Sequence, residues 1–204
     1  VIIIKNFFSS EEVSTVIDYA RDAHFHTKED HPPLHDNLYS QDSINFDIRT
    51  RGEFPDEVLA IFSEYSRRLF NHISELHKDV EYLPPMFSKY YIARYRPGAF
   101  EPPQTDKDKP SGTYVAYVCW NNDFVGGKMM SVNSDNGVET VLDIAPGDVV
   151  IFEEGNYSEM RAISEVSEGM LYLSQAWLGP KGKAWFSNVD YDKTDWDNWE
   201  IRGF

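Results

Sequence analysis

The sequence predicts an α+β domain in which helices come first and a row of antiparallel strands follows, packed as a sandwich or barrel. Two patterns carry this. Apolar residues recur at helical spacing in the first third of the chain, and from Met86 onward they fall into short β-type runs separated by turn residues.

The opening "VIIIKNF" is a β-branched run suited to a strand. In "FSSEEVSTVIDYARDA", Ser9 stands three residues before Glu12, a capping box that starts an amphipathic helix. Residues 24 to 54 are polar, broken by "HPP" and "DN", and contain one strand candidate, "INFDIRT". Pro55 then suits a first helical position, with Asp56 and Glu57 in the first turn. Val58, Phe62, Tyr65, Leu69, Ile73 and Leu76 give this second helix one apolar face, which should lie on a sheet. The β runs are "FSKYYIARY", "TYVAYVCW", "KMMSV", "ETVLDI", "DVVIF" and "MLYLSQAWL". "RPG", "NND", "NSDNG" and "APG" read as the turns between them. Gly126 and Gly127 follow "NNDFV" with no helix after them, so hairpin geometry explains them better than a phosphate loop.

The 204 residues suffice for one sizeable core, and no Gly/Ser-rich linker divides them, so a single domain over 1–204 is expected. It comprises an N-terminal strand and helix region (1–85), a barrel (86–180) and a C-terminal extension (181–204). A net charge of −15 disfavours nucleic acid and anionic membranes as partners. The opening run lacks the basic flank and cleavage pattern of a signal peptide, so a cytoplasmic protein is expected. The lone Cys119, within "YVAYVCW", reads as a packed core residue.

The segments "YRPGAFEPPQTD", "YVCWNNDFVGGK", "IAPGDVVIF" and "VSEGMLYLSQAWL", with the opening "VIIIKNFFSSEEV", resemble the prolyl 4-hydroxylase-like 2-oxoglutarate and iron(II) dependent oxygenases. The resemblance spans about residues 1 to 180. It implies a double-stranded β-helix, a jelly-roll or cupin-like barrel, with the N-terminal helices packed on one sheet. It also implies an iron site of two histidines and one carboxylate, the first pair arranged His-x-Asp, and an Arg or Lys about ten residues beyond the second histidine that holds 2-oxoglutarate.

Carried over by position, the resemblance puts Gln104 and Asp106 at the pair, Arg161 at the second histidine and Leu171 at the cosubstrate cation. Only the carboxylate remains. The last histidine of the chain is His77, before the barrel begins, so no choice of alignment restores a histidine ligand within it. Arg161 has no lone pair to give a metal, and at roughly 4 Å and an effective dielectric near 20 it would repel a dication by about 8 kcal/mol. The expectation is an Asp106–Arg161 ion pair, with the Gln104 amide nearby, filling the metal's place.

These losses predict a pseudoenzyme with no cofactor, whose barrel pocket takes a small molecule, a peptide or a partner protein. The alternative is an active dioxygenase with a remodelled site, using Fe(II) or Mn(II) with 2-oxoglutarate, and with Gln104, Asp106 and Glu159 as oxygen ligands. Glu159, two residues before Arg161, would share its face on a strand. Lys128 could supply a replacement cation for an acidic ligand. Tyr91 and Tyr95 stand on the strand entering the pocket, where such enzymes place polar aromatics; they read equally as barrel-filling residues with a hydroxyl at the surface. Glu153 and Glu154 should point to opposite faces of a strand, which argues against an acid/base pair. His24, His26, His31 and His35 match no tetrahedral zinc motif and read as a solvated loop. The tail holding Trp185, Trp196 and Trp199 reads as a segment docked on its own domain rather than a partner-binding arm.

Overall fold

The computed structural model describes residues 1–27, 44–50, 53–78, 91–105, 112–154 and 159–180. Strand β1 (Ile2–Ile4) leads into helix α1 (Ser10–Asp22). The capping box forms as the sequence predicts: the Ser9 hydroxyl accepts from the Glu12 amide at 3.2 Å and the Glu12 carboxylate accepts from the Ser9 amide at 2.8 Å. Strand β2 (Ile44–Thr50) covers the "INFDIRT" run, and helix α2 (Asp56–Leu76) follows. Pro55 is the N-cap of α2, one position earlier than the sequence suggests. On α2 the predicted apolar face is buried from Val58 to Ile73, but Leu76, at the last turn, is half exposed.

The remaining strands are β3 (Tyr91–Gln104), β4 (Thr113–Cys119), β5 (Val125–Gly126), β6 (Met129–Asn133), β7 (Glu139–Val141), β8 (Val149–Glu154), β9 (Glu159–Ile163), β10 (Val166–Glu168) and β11 (Leu171–Leu178). Nine of the strands form one antiparallel sheet in the order β1-β8-β4-β11-β3-β9-β6-β7, with β2 also on β3. This sheet curls into the double-stranded β-helix. "RPG" is not a break between strands, as the sequence suggested. Strand β3 runs through it, pairing with β11 over Ile92–Tyr95, with β2 from Tyr91 to Phe100 and with β9 at Glu101 and Gln104. Gly98, at φ +88°, supplies the left-handed residue in this passage from one wall of the barrel to the other.

Alternation along the strands makes two cores. On one side of β4, Tyr114, Ala116, Val118 and Trp120 pack against Val16 and Ala20 of α1 and Phe62, Tyr65 and Leu69 of α2. On the other side, Val115, Tyr117 and Cys119 face the barrel interior with Leu171, Leu173 and Trp177 of β11 and Val150 and Phe152 of β8. The helices thus cover one wall and the interior remains for side chains from both. Cys119 is buried there, as expected.

Gly126 and Gly127 do not turn a hairpin. They lead from β5, which pairs with β10, into β6. Both have positive φ, and a Cβ on Gly126 would lie 2.0 Å from the Glu165 carbonyl oxygen, so close backbone approach is what requires glycine there.

Candidate functional site

The register of β3 on β9 places Gln104 directly opposite Arg161, so the two positions at which the resemblance would put histidines are cross-strand neighbours. Arg161 is 5% exposed. Its Nε donates to the Tyr117 hydroxyl at 2.7 Å, and its Nη1 donates to the Glu154 carboxylate, itself 1% exposed. The guanidinium carbon lies 5.4 Å from the Trp177 ring centre. A planar cation held by a carboxylate, a phenol and an aromatic face is an arrangement suited to arginine.

Around this pair the interior closes into a polar network. Tyr117 also accepts from the Gln175 amide at 2.7 Å, and Gln175 in turn accepts from the Tyr91 hydroxyl. The Tyr95 hydroxyl donates to Glu101, whose other oxygen accepts from the Gln104 amide at 3.1 Å. Thr105 donates to Glu154 at 3.4 Å. Both tyrosine hydroxyls are therefore used inside the barrel and not at its surface. Burial pushes the Glu101 carboxyl above its ordinary range; hydrogen bonds from Tyr95 and Gln104 and the charge of Arg161 oppose this without overcoming it. Burial likewise raises the phenols of Tyr91, Tyr95 and Tyr117, which stay protonated and serve as hydrogen-bonding groups.

Asp106, the expected partner of Arg161, lies outside the described residues, as do His31, His35 and the tail from 181 onward. Glu154 is a carboxylate partner that sequence reasoning missed, and Glu101, Tyr117 and Gln175 were missed with it. A period-two reading held the signal. Glu154 follows Val150 and Phe152 on one face of β8, and Gln175 sits between Leu173 and Trp177 on β11. Glu153 is exposed and Glu154 buried, so the two do point to opposite faces.

Glu159 does not join the network through Arg161. It is about a quarter exposed and accepts from the Ser131 hydroxyl at 2.5 Å. Leu171 is buried opposite Tyr95 and lines a cavity of 260 Å³ together with Lys128, so these two predicted positions do come together. His26 lies 2.7 Å from Glu53 and its ring packs edge-on against His24. Among the described residues no group of three or more His, Cys, Asp or Glu side chains could hold a metal ion, and no helix is long and apolar enough to cross a membrane.

Among the described residues, Arg161 has no lone pair to offer a metal and is held by Glu154, while Gln104 donates through its amide nitrogen to Glu101.

No protein-family model and no curated protein sequence matches the chain. Solved structures do. A Pseudomonas putida prolyl-4-hydroxylase superimposes with a TM-score of 0.62 at 16% identity over 89% of this chain and 92% of that one. A Trichoplax adhaerens prolyl hydroxylase, in complex with a hypoxia inducible factor peptide fragment, gives 0.64 at 15% over 87% and 82%. HygX from Streptomyces hygroscopicus, with nickel and 2-oxoglutarate bound, gives 0.62 at 13% over 96% and 88%. Three such matches over nearly full length agree with the strand order and the helix-covered wall described above. The protein has the fold of the prolyl 4-hydroxylase-like 2-oxoglutarate and iron(II) dependent oxygenases.

Proposed function

We propose that this chain is a member of that oxygenase family that has exchanged its metal site for a polar plug, and that it works as a binding protein without oxidising what it binds. The observation that carries the reading is the buried Arg161–Glu154 pair opposite Gln104. Removing a dication's ligands is one change; installing a buried cation in their place is a stronger one, because it repels the metal and consumes a carboxylate. Leu171 at the cosubstrate position argues the same way independently, since an apolar side chain offers no countercharge to a dicarboxylate. The ligand of such a protein would be a small molecule or peptide held in the barrel, or a partner protein laid over it.

The competing reading, an active dioxygenase with unusual ligands, draws on the nickel and 2-oxoglutarate bound by HygX. Calorimetric titration of metal-stripped protein with Fe(II) or Mn(II), with and without 2-oxoglutarate, separates the two. The pseudoenzyme reading expects no heat of binding at millimolar metal, no metal in the untreated protein by elemental analysis, and no rise in melting temperature from metal plus 2-oxoglutarate; a ligand at 100 times its Kd would add about 2.7 kcal/mol of stability. Metal binding strengthened by 2-oxoglutarate, with succinate produced under air, overturns it.

A further inference from the structure

Beside the polar network the barrel encloses an apolar space. The 260 Å³ cavity that contains Leu171 is floored by Cys119, Met129, Leu142, Ile163, Leu171 and Leu173, all buried, and is framed by the exposed Asn122, Lys128, Val141 and Asp143. None of Glu101, Gln104, Tyr117, Glu154, Arg161 or Gln175 lines it. Along β11 the interior positions run Leu171, Leu173, Gln175, Trp177; the first two face the cavity and the last two belong to the polar network. At about 3.3 Å per residue, Leu171 and Trp177 are about 20 Å apart along the strand. The cavity therefore lies toward the Leu171 end of β11, and its lining residue Ile163 stands two positions from Arg161 on β9, next to the polar network.

Its chemistry is specific. The floor is aliphatic and thioether, with one thiol whose proton burial holds on, pushing it up to about 11. Among the described residues, Lys128 is the one cation on the lining. Its backbone is pinned by Ser164, the N–H donating to the hydroxyl at 2.8 Å and the carbonyl accepting from the Ser164 amide at 2.9 Å. Its ammonium has no ion-pair partner among the described residues. The acid on the rim, Asp143, is fully exposed and lies 3.7 Å from Lys5, so it does not neutralise Lys128. An apolar cavity of about 150 Å³ admits a benzene-sized ligand, and this one is larger.

We propose that this cavity binds a small monocarboxylate with an apolar tail, the tail lying among Met129, Ile163, Leu171 and Leu173 and the carboxylate meeting the Lys128 ammonium. A dicarboxylate such as 2-oxoglutarate does not suit it, because its second charge would be buried unpaired against leucines. The inference goes beyond the proposed loss of the metal and does not depend on it, since it uses no residue of the polar network.

The test is a titration of the full chain, carbon-13 labelled at Leu, Ile and Met methyls, with hexanoate, hexan-1-ol and 2-oxoglutarate in turn, on the wild type and on Lys128→Met. Lys128 is exposed, so this variant keeps the fold. Hexanoate should shift the Met129, Ile163, Leu171 and Leu173 methyls saturably, and Lys128→Met should weaken it about tenfold, the loss of one charge-assisted contact. Hexan-1-ol should bind both proteins alike. Absence of shifts at these methyls, an unchanged hexanoate affinity in Lys128→Met, or equal shifts from 2-oxoglutarate would each overturn the proposal. The metal titration above uses a different ligand and readout, so either idea can fail alone.

Discussion

At the scale of single residues, Arg161 and Glu154 form an ion pair that is buried on both sides. Removing one partner of such a pair leaves an uncompensated charge, so Glu154→Ala should lower stability by about 3–5 kcal/mol, measured by urea denaturation. Replacing both, with Arg161→Met and Glu154→Leu, should recover most of that loss, because apolar side chains of similar volume avoid the desolvation of both charges. Glu101 behaves oppositely with pH. Its folded carboxyl holds its proton above the ordinary value of 4.5, so the folded state binds more protons than the unfolded one from about pH 4.5 upward. Stability contributed by protonated Glu101 is present below that pH and falls as pH rises through the folded carboxyl's own range, by at most about 1.4 kcal/mol per pH unit. Glu101→Gln, which keeps the hydrogen-bonding shape without the titration, should flatten this part of the stability–pH curve. A curve that keeps its slope would assign the proton uptake elsewhere.

At the scale of elements, the helices and the barrel strands follow different rules and were legible to different degrees. Helix α1 could be read from Ser9 and Glu12 because its cap is local: both partners lie within one turn. The face of α2 was legible because 3.6-residue periodicity is set by the backbone alone. The link from β5 into β6 was not, because Gly126 is required by the approach of Glu165, about forty residues later in the chain. Gly126→Ala should therefore cost more than the roughly 1–2 kcal/mol of a left-handed alanine, since the added methyl meets backbone that cannot step aside. Its urea midpoint should fall below that of Gly137→Ala, where the same φ sign meets open space.

At the scale of the whole molecule, a formal charge of −15 on 204 residues sets a self-repulsion that no single pair relieves. Raising sodium chloride from about 10 mM to about 150 mM shortens the screening length from about 30 Å to about 8 Å. The melting temperature should rise over that range, and the rise should persist in the Glu154 and Arg161 double replacement because the buried pair is screened little by salt. A fall in melting temperature would mean that surface ion pairs such as Arg68–Glu12 outweigh the net repulsion.

The order of strand, helices and antiparallel strands and the want of any histidine after His77 were determined by the sequence alone, because each is local or compositional. The partner of Arg161, the use of Glu101 and Gln175, and the cavity that Lys128 shares with Leu171 were decided only by the tertiary structure. Tyr117 and Arg161 are 44 residues apart and Gln175 and Tyr117 58 apart. Such neighbours are made by strand register and barrel closure, and no local periodicity specifies which strand will lie beside which.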